Sequence, residues 1–152
     1  MFKPLILGTH RPFLATIKDN TGLPQLEIQR PFYFFLSEMY VQTSSGAQVG
    51  SVHRRFSFLS AIYSLKDNRG REFATIKRPF WRFWLFDIKD LTGNSIGQIN
   101  KRWGGVLREM FSSADSYEVT IKNVNFTDFQ RAIVLAASIA IDFDHFEKQS
   151  KG

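Results

Sequence analysis

Apolar and polar positions alternate with a period of two along much of this chain. Trp84, Phe86 and Ile88 interleave with Asp87 and Lys89, and Tyr117, Val119 and Ile121 with Glu118, Thr120 and Lys122. Period two puts one set of side chains on each face of an extended segment, so these stretches predict half-buried β-strands. Polar clusters punctuate them at Asp19-Asn20-Thr21-Gly22, Ser44-Ser45-Gly46, Asp67-Asn68-Arg69-Gly70 and Leu91-Thr92-Gly93-Asn94. Asn, Asp and Gly tolerate the backbone conformations that tight hairpin turns demand. The pattern predicts strands over residues 13–18, 24–30, 34–43, 48–55, 60–66, 71–77, 82–90, 95–103, 106–111 and 117–122. Pro12, Pro31 and Pro79 fall where strands start or stop, because proline has no N–H for a sheet ladder. Short connections between consecutive strands make an antiparallel meander.

The period changes near the C-terminus. Thr127-Asp128-Phe129-Gln130 has the composition of a capping box, in which the Thr hydroxyl and the Gln amide each satisfy an orphan backbone N–H. The run from Ala132 to Ile141 follows, with Ile133, Val134, Leu135, Ile139 and Ile141 as its large members, and it is apolar on every face. Such a helix must be enclosed by protein or lipid. A membrane span takes roughly 20 apolar residues, whereas Arg131 and Asp142 bracket only ten here. The buried reading is therefore favoured, with residues 128–147 threaded through a β-barrel. Asp142, Asp144 and Glu147 read as helix-end charges that cap the helix or pair with Arg131. A helix with its side chains is about 10 Å across, and roughly eight strands enclose only their own side chains. With nine or ten strands the barrel is left incomplete, or a second copy of the chain covers its open edge as a homodimer.

The strands belong to a duplicated unit. Residues 18–32 and 66–80 share eight of 15 positions at a constant offset of 48, among them Lys18-Asp19-Asn20 with Lys66-Asp67-Asn68 and Arg30-Pro31-Phe32 with Arg78-Pro79-Phe80. With a one-residue slip, Gly46 and Gly50 correspond to Gly93 and Gly97, and Phe56 to Trp103. Self-similarity of this length signals repeated supersecondary structure. One domain over residues 8–148 is expected, with the repeat at 13–60 and 61–108.

Composition narrows the chemistry. The chain has 152 residues, 43% of them hydrophobic, including 16 Phe, and a net charge of +6. A basic balance favours acidic partners: anionic headgroups, nucleic acid or acidic proteins. The absence of cysteine excludes disulfides, thiolate catalysis, Cys-based zinc sites and palmitoylation. Met1–Leu7 is too short and too weakly apolar for a secretory signal, so a cytoplasmic protein, peripheral at a membrane, is expected. His10, His53 and His145 lie in separate segments without metal-ligand spacing, and no catalytic constellation emerges. Gly46-x-x-x-Gly50 and Gly93-x-x-x-Gly97 sit in turn and strand contexts, where glycine serves bulges and close approach. Arg54-Arg55 and Lys101-Arg102 are repeat-equivalent strand ends, as are Arg30 and Arg78. Gathered on one rim, they would bind anionic phospholipids or phosphoinositides at about 1 kcal/mol per residue near an anionic surface. Otherwise they are solvated strand-end charges. Nucleic acid is less favoured, because the aromatics of the segment 78–84 would be core in a barrel and a stacking platform needs them exposed.

Several segments resemble the phospholipid scramblase family. Trp103-Gly104-Gly105-Val106-Leu107-Arg108-Glu109-Met110-Phe111-Ser112-Ser113-Ala114-Asp115 is similar to its late signature, Arg11-Pro12-Phe13 and Arg30-Pro31-Phe32 to its paired Arg-Pro elements, and residues 140–147 to the end of its C-terminal helix. The resemblance implies a Tubby-like antiparallel barrel around a hydrophobic helix and a part in transbilayer phospholipid movement. It does not imply calcium binding. Where the family has an Asp-Ala-Asp opening and a closing Asp, this chain has Ser113, Ala114, Asp115 and Val124. Calcium needs six to eight oxygen ligands, several of them anionic, and Asp115 is the one carboxylate retained. No cofactor is expected. The reading is a non-catalytic, peripheral lipid-binding module, with a nucleic-acid or protein interaction module as the alternative.

Overall fold

In a computed structural model, the described residues are 12–31, 36–79, 85–102, 116–122 and 125–145. Nine strands form one antiparallel meander in chain order: β1 (Phe13–Lys18), β2 (Pro24–Arg30), β3 (Glu38–Thr43), β4 (Gln48–Arg55), β5 (Ser60–Asp67), β6 (Glu72–Pro79), β7 (Leu85–Lys89), β8 (Ser95–Arg102) and β9 (Ser116–Ile121). A single helix, α1 (Asp128–His145), follows. The strand predicted at 106–111 lies outside the described residues, as do the Trp103–Asp115 signature and Asp115.

The alternate hairpins β1–β2, β3–β4, β5–β6 and β7–β8 close with the same turn. Its first residue is Asp19, Thr43, Asp67 or Asp90. In each case that residue's N–H donates to the carbonyl four residues on, and its carbonyl accepts from the glycine N–H three residues on. Its side-chain oxygen also accepts from the N–H four residues on, at 2.9–3.0 Å. Gly22, Gly46, Gly70 and Gly93 all take positive φ, between 79° and 92°. That is the αL position of a three-residue hairpin with a glycine bulge, which a side chain would strain. The register shifts just before each turn, as the bulge requires. The turn glycines recur at intervals of 24, 24 and 23 residues, so the geometric unit is one hairpin and the 48-residue echo spans two.

One face of the sheet is the core. Ile28, Val41, Val52, Leu65, Ile76, Phe86, Ile88 and Ile99 are fully buried and occupy facing register positions. Helix α1 starts with the expected capping box: Thr127 N–H donates to Gln130 Oε1 at 2.9 Å, and Gln130 N–H to Thr127 Oγ1 at 3.1 Å. Such a cap contributes about 0.5–2 kcal/mol. The helix contacts β3, β4 and β5 and also β9. In a flat sheet β9 would stand about 19 Å from β5, four strand spacings away, so the sheet curls around the helix. It is nevertheless open: among the described residues β1 and β9 do not pair.

Ile133, Val134, Ala137 and Ile141 are fully buried against the concave face, and Ile139 is half-buried. The expectation of a helix enclosed on every face is corrected at Leu135, which is 43% exposed. A sheet that does not close covers a stripe of the helix and leaves the opposite side to solvent. Among the described residues no helix is long and apolar enough to cross a membrane.

Candidate functional site

Strands β2, β4, β6 and β8 each leave a glycine turn and run to the opposite end of the sheet. Eight residues beyond each turn glycine stands a cation: Arg30, Arg54, Arg78 and Lys101. Two residues before each stands a buried apolar residue, respectively Ile28, Val52, Ile76 and Ile99. Period two therefore puts Arg30, Arg54 and Arg78 in register with the concave face, toward the end remote from the turns, and Lys101 holds the equivalent position along β8. Pairing fixes the neighbours. Arg54 lies opposite Tyr63, and Arg78 opposite Ala61.

The six predicted basic residues do not share one environment. Arg30 and Arg78 are 1% and 4% exposed, so the expectation of a solvent-facing rim is corrected at both. They have the side-chain parity of the core. The Arg78 guanidinium carbon stands 5.5 Å from the Phe86 ring centroid, a cation–π contact. Burial pushes Arg78 below the ordinary arginine range, Tyr63 acts in the opposite sense, and the like charge of Arg54 adds to the lowering. Arg54 is half-buried, and its N–H donates to the Ser37 carbonyl at 2.9 Å. Arg55 has the opposite parity. Its side chain is 55% exposed, with Nη1 3.5 Å from Glu72 Oε1, a half-solvated pair of small energetic worth. Lys101 and Arg102 pair through the backbone with Tyr117 and Ser116 of β9; their side chains are outside the description.

Repeat-by-repeat reading of the sequence missed that Arg54 and Lys101 are equivalent to Arg30 and Arg78. The signal was the spacing of glycine followed eight residues later by a cation, four times. The second turn hides it, because Thr43 stands where the other three have aspartate.

A second polar cluster lies on the other face of β3 and β4. His53 Nε2 is 2.7 Å from Ser51 Oγ, His53 Nδ1 is 3.4 Å from Glu38 Oε1, and the Tyr40 hydroxyl donates to Glu38 Oε2 at 2.8 Å. That bond raises the Tyr40 pKa, since the phenol proton is held by a carboxylate. The connectivity is that of a Ser-His-Glu triad. An acyl-transfer site also needs backbone donors aimed at an oxyanion. Ser51 sits buried in β4, between β3 and β5, where the strand's N–H groups serve the ladder. The cluster is cross-strand polar packing. Among the described residues no group of three or more His, Asp or Glu is placed to hold a metal ion.

A family model described as Scramblase matches residues 1–148. Altered inheritance rate of mitochondria protein 25 of Saccharomyces cerevisiae is 29% identical, over 93% of this chain and 55% of its own length. Mouse phospholipid scramblase 1 is 27% identical over 93% of this chain and 47% of its length, and human phospholipid scramblase 4 is 26% identical over 92% and 46%. The chain thus spans about half the length of the curated relatives it matches. No solved structure matches.

Proposed function

The chain belongs to the scramblase family, and we propose that this domain is a peripheral lipid-binding module that serves transbilayer phospholipid movement by engaging an anionic membrane face. It holds headgroups without changing covalent bonds, and it works at the cytoplasmic face, where anionic lipid is concentrated. The names of the mammalian relatives, phospholipid scramblases, support a phospholipid partner.

The observation that carries this reading is the placement of Arg54, half-buried, and Arg55, exposed, at the end of the sheet remote from the glycine turns, where β8 also ends in Lys101 and Arg102. Exposed cations near an anionic surface contribute about 1 kcal/mol each. Replacing Arg54, Arg55, Lys101 and Arg102 together by Ala should lower partitioning onto vesicles containing phosphatidylserine by roughly tenfold or more. Wild-type binding should weaken steeply between 50 and 300 mM salt, since exposed charges are screened over about 8–10 Å at physiological ionic strength. Flotation of both proteins at the two salt concentrations is the test. Equal flotation of wild type and the folded quadruple variant would defeat the reading, and tight RNA binding without vesicle binding would put a nucleic-acid module in its place.

A further inference from the structure

We propose that the β4–β5 loop, Phe56-Ser57-Phe58-Leu59, is a membrane-inserting tip that seats the basic end of the sheet in the interface of an anionic bilayer; this rests on the lipid-binding reading above. Large apolar side chains are normally withdrawn from solvent, yet Phe56, Phe58 and Leu59 are 69%, 82% and 74% exposed. They form one feature. The Phe56 and Phe58 rings meet edge to face, with centroids 4.8 Å apart, so the loop presents a single aromatic wedge. Its base is held by Ser57 and Ser60, whose hydroxyl oxygens are 3.3 Å apart. It joins the two strands on which α1 chiefly packs, so the wedge stands on a rigid part of the fold.

The surroundings select the occupant. Arg55 precedes the wedge and is exposed, and Arg54 lies one residue further back at the cationic end of the sheet. An apolar tip flanked on the β4 side by Arg54 and Arg55 complements the bilayer interface, where phosphates stand above hydrocarbon. It does not complement a second copy of this chain, which carries the same +6 charge. The area argues the same way. Three such side chains expose on the order of 400 Å², about half of the roughly 800 Å² that each partner of a stable complex contributes. A convex tip of that size is too small for a dimer interface and large enough for an anchor.

The two contributions separate by salt. Attraction through Arg54 and Arg55 is screened, whereas burial of Phe and Leu is not, so residual binding at 500 mM salt should belong to the wedge. The tests use the 152-residue chain and vesicles of phosphatidylcholine with 30% phosphatidylserine. F56S/F58S should reduce vesicle affinity at 500 mM salt by about tenfold or more, with an unchanged melting temperature. Because the chain has no cysteine, Leu59→Cys accepts a single nitrobenzoxadiazole label; its emission should brighten and shift to the blue on vesicle addition, while the same label at Thr21→Cys, on the opposite end, stays unchanged. If wild type binds in a salt-dependent way but the Phe variant binds equally well and the Leu59→Cys label is silent, the wedge proposal fails and the lipid-binding reading stands. Absence of wild-type binding sinks both. Conversion of a dimer to a monomer by F56S/F58S, with vesicle binding intact, would reassign the tip to self-association and overturn the proposal.

Discussion

Gly50→Ala tests where the helix is seated. Gly50 lies in β4 opposite Asp67, and its Cα faces α1. An added Cβ would fall inside van der Waals contact of the Lys66 carbonyl oxygen and of Ile133 Cδ1, and 3.1 Å from Ile133 Cγ1. The carbonyl is held in the sheet, so it yields only if the β4–β5 pairing distorts; the isoleucine tip yields only by leaving its rotamer in a filled core. Overpacking of this kind costs about 1–3 kcal/mol. With a backbone atom as one of the two obstacles the upper half of that range applies, about 2–3 kcal/mol. At this chain length 1 kcal/mol moves the melting temperature about 2–4 °C, so calorimetry should find it lowered by about 4–12 °C. Ile133→Ala alone should cost about 2–5 kcal/mol. The double variant should be about 1 kcal/mol less destabilised than the sum, because truncating Ile133 clears one obstacle and leaves the other. A Gly50→Ala protein that melts with wild type would refute the seating of α1 on β4. Strict additivity would refute the share assigned to Ile133.

On the same helix, Ala137→Asp should abolish soluble folded protein by burying an unpaired charge, whereas Leu135→Asp, on the exposed side, should leave the melting temperature within about 2 °C; equal behaviour of the two in thermal melts would contradict the one-sided packing. Asp19, Asp67 and Asp90 have lowered pKa values, caused first by hydrogen bonds from the Thr21 side chain, the Arg71 backbone and the Thr92 side chain respectively. A folded pKa below the unfolded value stabilises above the unfolded pKa, near ~3.9, and that stabilisation disappears as pH falls through the folded value. Changing all three to Ala should therefore lower stability at pH 7 and flatten its acid decline; a parallel urea-midpoint curve from pH 7 to 2 would exclude the carboxylates as its source. Calcium at millimolar concentration is expected to change neither melting temperature nor vesicle binding, because the segment whose resemblance would imply a calcium site offers Asp115 as its one carboxylate and calcium takes six to eight oxygens; stoichiometric binding at micromolar calcium in a titration calorimeter would reverse this.

Much of the fold was legible because local signals agreed with one another. Glycine placed by turn geometry, proline at strand ends and period-two alternation all located the same strands, and nine of them lie within a few residues of the expected bounds. The capping box at Thr127 and Gln130 was equally local, since both partners lie within one helical turn. Gly50 and Gly97 were readable as sites of close approach, but not what approaches: Ile133 lies more than 80 residues from Gly50 in sequence, and only the curled sheet brings it there. Leu135 was misjudged for a similar reason. An all-apolar helix states that it needs cover; how far the cover extends depends on whether β1 and β9 meet, which no local pattern encodes.

The basic residues show how the face of a strand decides the role of a charge. Grouping them by strand end put Arg30, Arg54, Arg55 and Arg78 together. Grouping by parity separates them, because Arg30 and Arg78 each stand two residues after a core isoleucine and share its face. Arg55 has the parity of His53 and reaches solvent. A guanidinium kept charged in a curled sheet raises the cost of unfolding only through the contacts that surround it, as Phe86 does for Arg78; truncating it leaves those groups buried without it. A guanidinium at the surface interacts through a screened field and leaves the core untouched when removed. Loss of folded protein and loss of membrane affinity are therefore expected from different members of one sequence motif. The break between them separates Arg30 and Arg78 from Arg55, which stands at the base of the loop that carries Phe56 and Phe58.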